Sequence, residues 1–258
     1  MLGHRHLPSR LDGHGGGPVV LYGRAGDRVL VDDRSSGRLS VPADSLAAAR
    51  ARVGSYRHRL VTIDPALVEL DAARLRAAVE QGLALQVEHL RSSSDSFGLP
   101  AWRKWARMLT ARGAKAWPVV FADGRGLGSA TASTYTGAAE GARLRALYAD
   151  FLDAAATLVE RPALRGAASA WRSAAGAWER VADVALAPGD ELRELIDASS
   201  AAIARGDGAR EEAARLAGER WALQARRDEP RPAPGFGALA QAVAAVHDAE
   251  AAAVEAQV

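Results

Sequence analysis

The chain has 258 residues, 48% hydrophobic and 25% charged, a composition that suits a globular protein with room for a buried core. With 33 Lys and Arg against 31 Asp and Glu, the net charge is only +2, and the clustered cationic excess of a nucleic-acid binder is not evident. The absence of cysteine excludes disulfides, thiolate metal sites and a cysteine nucleophile within this chain.

No stretch has the length and apolarity of a signal peptide or a membrane span, so a soluble, cytoplasmic protein is expected. The cations are almost all arginine, the two lysines being Lys104 and Lys115.

Residues 1–17 form a Gly- and His-rich lead. Residues 18–22 read as a strand ended by Gly23, and residues 28–32 as a second strand. The Arg24-Ala25-Gly26-Asp27 run between them is turn chemistry, so a hairpin is expected. Ser40-Val41-Pro42-Ala43-Asp44 reads as a helix start with proline in its first turn, running to about Arg52. Residues 56–63 read as a third strand. Three strands leave at least one edge unpaired, which invites self-association through residues 19–21.

Beyond Asp64-Pro65 the β signal ends. Asp71 caps a helix whose apolar positions, among them Leu75, Val79, Leu83 and Leu90, follow the helical period. Leu99-Pro100 opens a second helix, ended by Gly113. Residues 117–128 read as a Gly-rich connection. Helices are then expected at about residues 130–139, 142–159, 162–187 and 190–226, the last loosened around Gly206-Asp207-Gly208. The proline run at residues 227–234 reads as a hinge before an Ala-rich helix, expected to be only partly packed because its apolar residues are small. The fold class is therefore α+β. A partial α/β segment occupies residues 1–65, a helical domain 66–226, and the hinge with its C-terminal helix 227–258.

Few residues suggest chemistry. His14 and either Asp32 or Asp33 stand where a hairpin brings an imidazole beside an orienting carboxylate, although His and Asp are also common loop residues. Trp102 with Trp105, and Trp171 with Trp178, share helix faces. They are expected to be core anchors rather than an aromatic wall for a sugar or base. Gly124-Arg125-Gly126-Leu127-Gly128 resembles a phosphate loop but lacks the Gly-Lys-Ser/Thr ending, so a helix-entry role is expected. His58 and His89 stand alone, no Gly-x-Ser-x-Gly elbow occurs, and neither a metal nor a cofactor is expected.

Several ordered motifs carry a resemblance. Residues 18–23, then Val29-Leu30-Val31-Asp32-Asp33-Arg34, then Leu39-Ser40-Val41-Pro42 and Ala49-Arg50 resemble the closing half of the N-terminal domain of the butirosin-biosynthesis protein H-like family. Residues 97–106, 117–121 and 144–152, with Trp171 and Trp178, resemble the helical domain of unknown function that follows it.

The resemblance implies a remnant of a papain-like cysteine-peptidase-type fold. It also implies acyl transfer from an acyl carrier protein to an aminoglycoside amine, through Cys, His and Asp. Here Cys is absent, His14 is offset by three or four residues from the family's His position, and Asp33 alone matches its motif position. Three readings stay open: a truncated or mis-started member, a degenerate non-catalytic member, and an independent helical interaction module. The partner implied is an acyl carrier protein or a small amine or sugar ligand, with no nucleic acid and no membrane.

Overall fold

The computed structural model describes residues 19–32, 39–52, 61–64 and 71–258. The strands are β1 (Val20–Ala25), β2 (Arg28–Asp32) and β3 (Leu39–Pro42), and the helices are α1 (Ala43–Arg52), α2 (Ala72–Arg91), α3 (Leu99–Met108) and α4 (Trp117–Val120). The rest of the chain is helical: α5 (Leu127–Leu158), α6 (Leu164–Ala185), α7 (Glu191–Ala204), a 3-10 turn at Gly206–Ala209, α8 (Arg210–Arg227) and α9 (Gly237–Glu255). The α+β class holds, and no helix among the described residues is long and apolar enough to cross a membrane.

The chain divides into two compact units, and neither is contiguous. The first takes residues up to Pro65 together with Gly189–Ala225; the second takes Ala66–Pro188 and Arg226–Val258. The boundary near residue 65 follows the loss of β signal. The segment Gly189–Ala225, which holds α7 and most of α8, groups with the N-terminal segment and not with the helices that precede it in the sequence.

In the first unit the strands form an antiparallel sheet in the order β1-β2-β3. Gly26, at φ +61°, supplies the positive φ that the tight β1–β2 turn requires. A bulge between Leu21 and Gly23 interrupts the register of this pair. The third strand is Leu39–Pro42, not residues 56–63. Residues 61–64 have no regular structure, and 56–60 lie outside the described residues. Pro42 ends the strand, and the helix read from Ser40 begins one residue after it, at Ala43. Ala202, Ala209, Ala213 and Leu216 form a small core in this unit, with Leu195 and Ile203 against it.

The second unit is all helical. Asp71 caps α2 by accepting from the Arg74 amide at 2.7 Å, as the sequence suggests. The long hydrophobic core runs from Leu83 on α2 through Leu152 on α5 and Trp171 on α6 to Val254 on α9. Alanine dominates the α6 face, so the neighbouring helices approach closely and the few large side chains fill the remaining volume.

Three expectations change here. The helices read at residues 130–139 and 142–159 are one helix, α5. The Ala-rich C-terminal helix is firmly packed, with Val243, Val246, Ala253 and Val254 fully buried against the bundle. The proline run is not a free hinge. The Arg231 amide donates to the Asp123 carbonyl at 2.7 Å, and the Phe236 ring lies 5.4 Å from Trp117 and 6.4 Å from Phe121.

Candidate functional site

The two residues favoured by sequence, His14 and Asp33, lie outside the described residues. Asp32 ends β2 opposite Val20 and is exposed. His89 is exposed on α2. Among the described residues no group of three or more His, Asp and Glu is arranged to hold a metal ion.

The most concentrated polar chemistry sits inside the helical unit. Glu250 on α9 is completely buried. Its Oε1 accepts from Trp178 Nε1 at 2.7 Å and from Arg145 Nε at 2.8 Å, and its Oε2 accepts from Trp102 Nε1 at 2.9 Å. Arg145 Nη2 closes the ion pair at 2.7 Å. Its guanidinium carbon also stands 5.3 Å from the Trp178 ring centre. A buried carboxylate is tolerable only when paired and hydrogen-bonded, and both conditions are met here. The two indoles meet edge to face, 4.9 Å apart. Trp102 and Trp178 are thus core anchors with polar tips, and Trp105 packs on Trp102 at 6.4 Å.

About two turns further along α9's line, Gln257 makes a second polar centre. Its Oε1 accepts from Trp171 Nε1 and from the Tyr148 hydroxyl, each at 3.2 Å. Its Nε2 donates to Gln86 Oε1 at 3.2 Å, and its backbone carbonyl accepts from Arg161 Nη2 at 3.2 Å. Burial pushes the Tyr148 phenol above its usual range, while the hydrogen bond with Gln257 opposes that shift. Both centres use the tryptophans as donors, so these groups orient the core.

The Gly-rich loop is also occupied from within. Gly124 and Gly126 have φ of +75° and +72°, and α5 starts at the next residue. The amide donors of a helix start suit an anion. Asp228 fills that role: Oδ1 accepts from the Ser129 amide at 2.7 Å and Oδ2 from the Ser129 hydroxyl at 2.5 Å. Gly124 packs so closely on the Arg231 carbonyl that any Cβ there would clash. The loop is a helix entry, as its missing Lys-Ser/Thr ending suggests.

In the first unit, Asp207 in the 3-10 turn accepts from the Ser40 amide at 2.9 Å and the Ser40 hydroxyl at 2.7 Å, and pairs with Arg210. Arg28 donates to Ser40 Oγ at 2.8 Å and to the Ser40 carbonyl at 2.6 Å. The Asp207 carboxylate that takes the Ser40 hydroxyl is also engaged by the Ser40 amide and by Arg210, so the group acts as a structural clasp between β3 and the turn.

What remains outward-facing is electrostatic. From Ser96 to Ala122 the chain carries Arg103, Lys104, Arg107, Arg112 and Lys115 and no Asp or Glu. The rest of the chain is therefore net acidic. A local cationic cluster exists despite the near-neutral total. Sequence composition hides it because acids elsewhere cancel it.

In comparison with known proteins, no family model matches the chain, and no curated protein or solved structure matches it significantly.

Proposed function

We propose that this chain is a non-catalytic binding module, a degenerate relative of carrier-protein-dependent aminoacyl transferases, whose helical unit engages an acyl carrier protein. The reading takes β1–β3 and α1 as what is left of a papain-like domain. It is supported above all by one observation: the most concentrated buried polar centres of the helical unit are occupied by partners within that unit. Glu250 is filled by Trp102, Arg145 and Trp178. Gln257 and Asp228 are filled in the same way. With no cysteine in the sequence, no thioester can form. A surface that binds without reacting is the role this arrangement serves.

The sheet adds a second contact. β1 is exposed along its whole length, with Val20 63% and Tyr22 53% exposed, and among the described residues β2 is its only strand neighbour. This is the edge at which self-association would occur.

The test has two arms. The purified chain is incubated with an aminoacyl-loaded carrier protein and an aminoglycoside acceptor, and the mixture is analysed by mass spectrometry. No aminoacylated product is expected, while native mass spectrometry should detect a complex with the carrier protein. Product formation would overturn the non-catalytic reading, and absence of any complex would overturn the binding reading.

A further inference from the structure

We propose that the outward face of α3 and the turn that follows it form the docking surface for an acidic protein, with Arg103, Arg107, Arg112 and Lys115 as its cationic contacts. This inference rests on the binding-module reading and gives that module a location and a partner chemistry.

The argument starts from the way α3 divides its residues. Leu99, Trp102, Trp105 and Leu109 turn inward or are partly covered, and Leu109 is fully buried. Arg103 and Arg107 stand one turn apart on the same face, and both are exposed. Arg112 and Lys115 follow, also exposed. Several exposed arginines elsewhere in this unit hold carboxylates: Arg76 pairs with Glu160, Arg91 with Glu255, Arg143 with Glu140, and Arg172 with Asp150 and Asp153. Along α3 only Lys104 does so, with Asp95 at 2.9 Å. No carboxylate among the described residues pairs within 4 Å with Arg103, Arg107, Arg112 or Lys115. Asp95 offsets Lys104 and, more weakly, Arg107, and the cations left over repel one another and gain from an opposing acidic surface.

The chemistry of the surroundings selects a protein over other polyanions. A membrane-surface helix needs a free apolar face, and that of α3 is committed to the core through Trp102 and its bond to Glu250. Single-stranded nucleic acid needs free aromatic platforms, whereas Trp102, Trp105 and Trp117 are packed against other rings. Apolar side chains at both ends of the segment, Phe97 at 73% and Val120 at 51% exposure, suit the mixed character of a protein interface.

The lysine distribution makes the proposal testable. Lys104 and Lys115 carry the only side-chain amines in the chain. Zero-length carbodiimide coupling through an amine of this chain, identified by peptide mapping, therefore reports on this segment or on the N-terminal amine. The probe is a holo acyl carrier protein, with duplex DNA and anionic phosphatidylglycerol vesicles as competitors, and with Arg103→Glu/Arg112→Glu and Arg143→Glu variants of matched melting temperature.

The expected result is coupling at Lys115, binding weakened on the order of tenfold by Arg103→Glu/Arg112→Glu and not by Arg143→Glu, and loss of binding with rising salt. Arg103→Lys/Arg112→Lys should retain binding. If the carrier protein binds but couples only at the N-terminus, or ignores the charge reversal, this surface is overturned and the binding module stands. If DNA or vesicles bind more tightly than the carrier protein, the partner class is overturned. If nothing acidic binds the wild-type chain, both the surface and the binding reading fall.

Discussion

Glu250 Oε1 lies 2.7 Å from Trp178 Nε1, and this contact joins α9 to α6 at a point with no access to water. The same carboxylate holds Arg145 of α5 and Trp102 of α3, so four helices meet at one residue. Removing the carboxylate leaves a half-buried guanidinium and two indole donors without acceptors. Breaking one side of a buried ion pair typically costs about 3–5 kcal/mol. Glu250→Ala should lower stability by about that amount, and Glu250→Gln by less, since the amide oxygen still accepts one indole hydrogen bond. Urea denaturation followed by tryptophan fluorescence measures the difference. A loss below about 1 kcal/mol in Glu250→Ala would show that the centre contributes little.

Gly141 and Gly137 both interrupt α5, and they should respond oppositely to alanine. A Cβ at Gly141 would stand 2.8 Å from the Trp178 ring, which Glu250 holds in place, whereas a Cβ at Gly137 meets nothing within 4 Å. Helix propensity favours alanine by about 1 kcal/mol at either site. Overpacking a fixed ring costs about 1–3 kcal/mol, which outweighs that gain only at Gly141. Gly137→Ala is expected to raise the melting temperature and Gly141→Ala to lower it, and differential scanning calorimetry of the two variants decides.

Gly141 also shows why part of the fold was not legible. Glycine in a helical pattern reads as a break, and here it divides the α5 expectation in two; its reason is the approach of a tryptophan 37 positions further on, which no local window contains. Pro42 misleads in a similar way, because proline is compatible with both a strand end and a helix start. The hairpin, the Asp71 cap and the α2 period were legible because local chemistry determines them. Glu250 and Gln257 do carry a signal in the sequence. Val243, Val246, Glu250, Ala253 and Gln257 recur every three or four residues, which places a carboxylate and an amide on the apolar stripe of α9. A polar group in that position implies a buried partner, although the sequence does not say which.

Asp207 makes the first unit sensitive to acid. Burial by itself would raise its carboxyl, but hydrogen bonds from Arg210 and Ser40 outweigh burial and hold it below the usual carboxylate range. A folded-state value below the unfolded one means that the contribution to stability is complete above about pH 5. It is lost as pH falls through the lowered folded value. Asp207→Asn should therefore destabilise the chain at neutral pH, and the gap between variant and wild type should narrow toward pH 3. Urea midpoints at several pH values test this, and a gap that stays constant with pH would exclude Asp207 as its source.

Asp228 ties the proline run to the start of α5, and its removal separates a cap from a hinge. The carboxylate satisfies both the Ser129 amide and its hydroxyl, and the Asp228 carbonyl accepts from the Gly126 amide at 3.3 Å. Asp228→Ala removes the side-chain bonds and leaves the carbonyl in place. Losing a capping oxygen costs about 0.5–2 kcal/mol, far less than a core residue such as Trp171, whose truncation costs about 3–5 kcal/mol. The variant should therefore stay folded while amide exchange quickens locally at residues 127–130, where the first turn of α5 loses its acceptor. The anchors at Arg231 and Phe236 are independent of the Asp228 side chain and should keep residues 231–236 protected. Hydrogen exchange with mass spectrometry resolves the two segments. Faster exchange across all of residues 226–236 would mean that Asp228 alone secures the run, so that it behaves as a hinge once that single contact is gone.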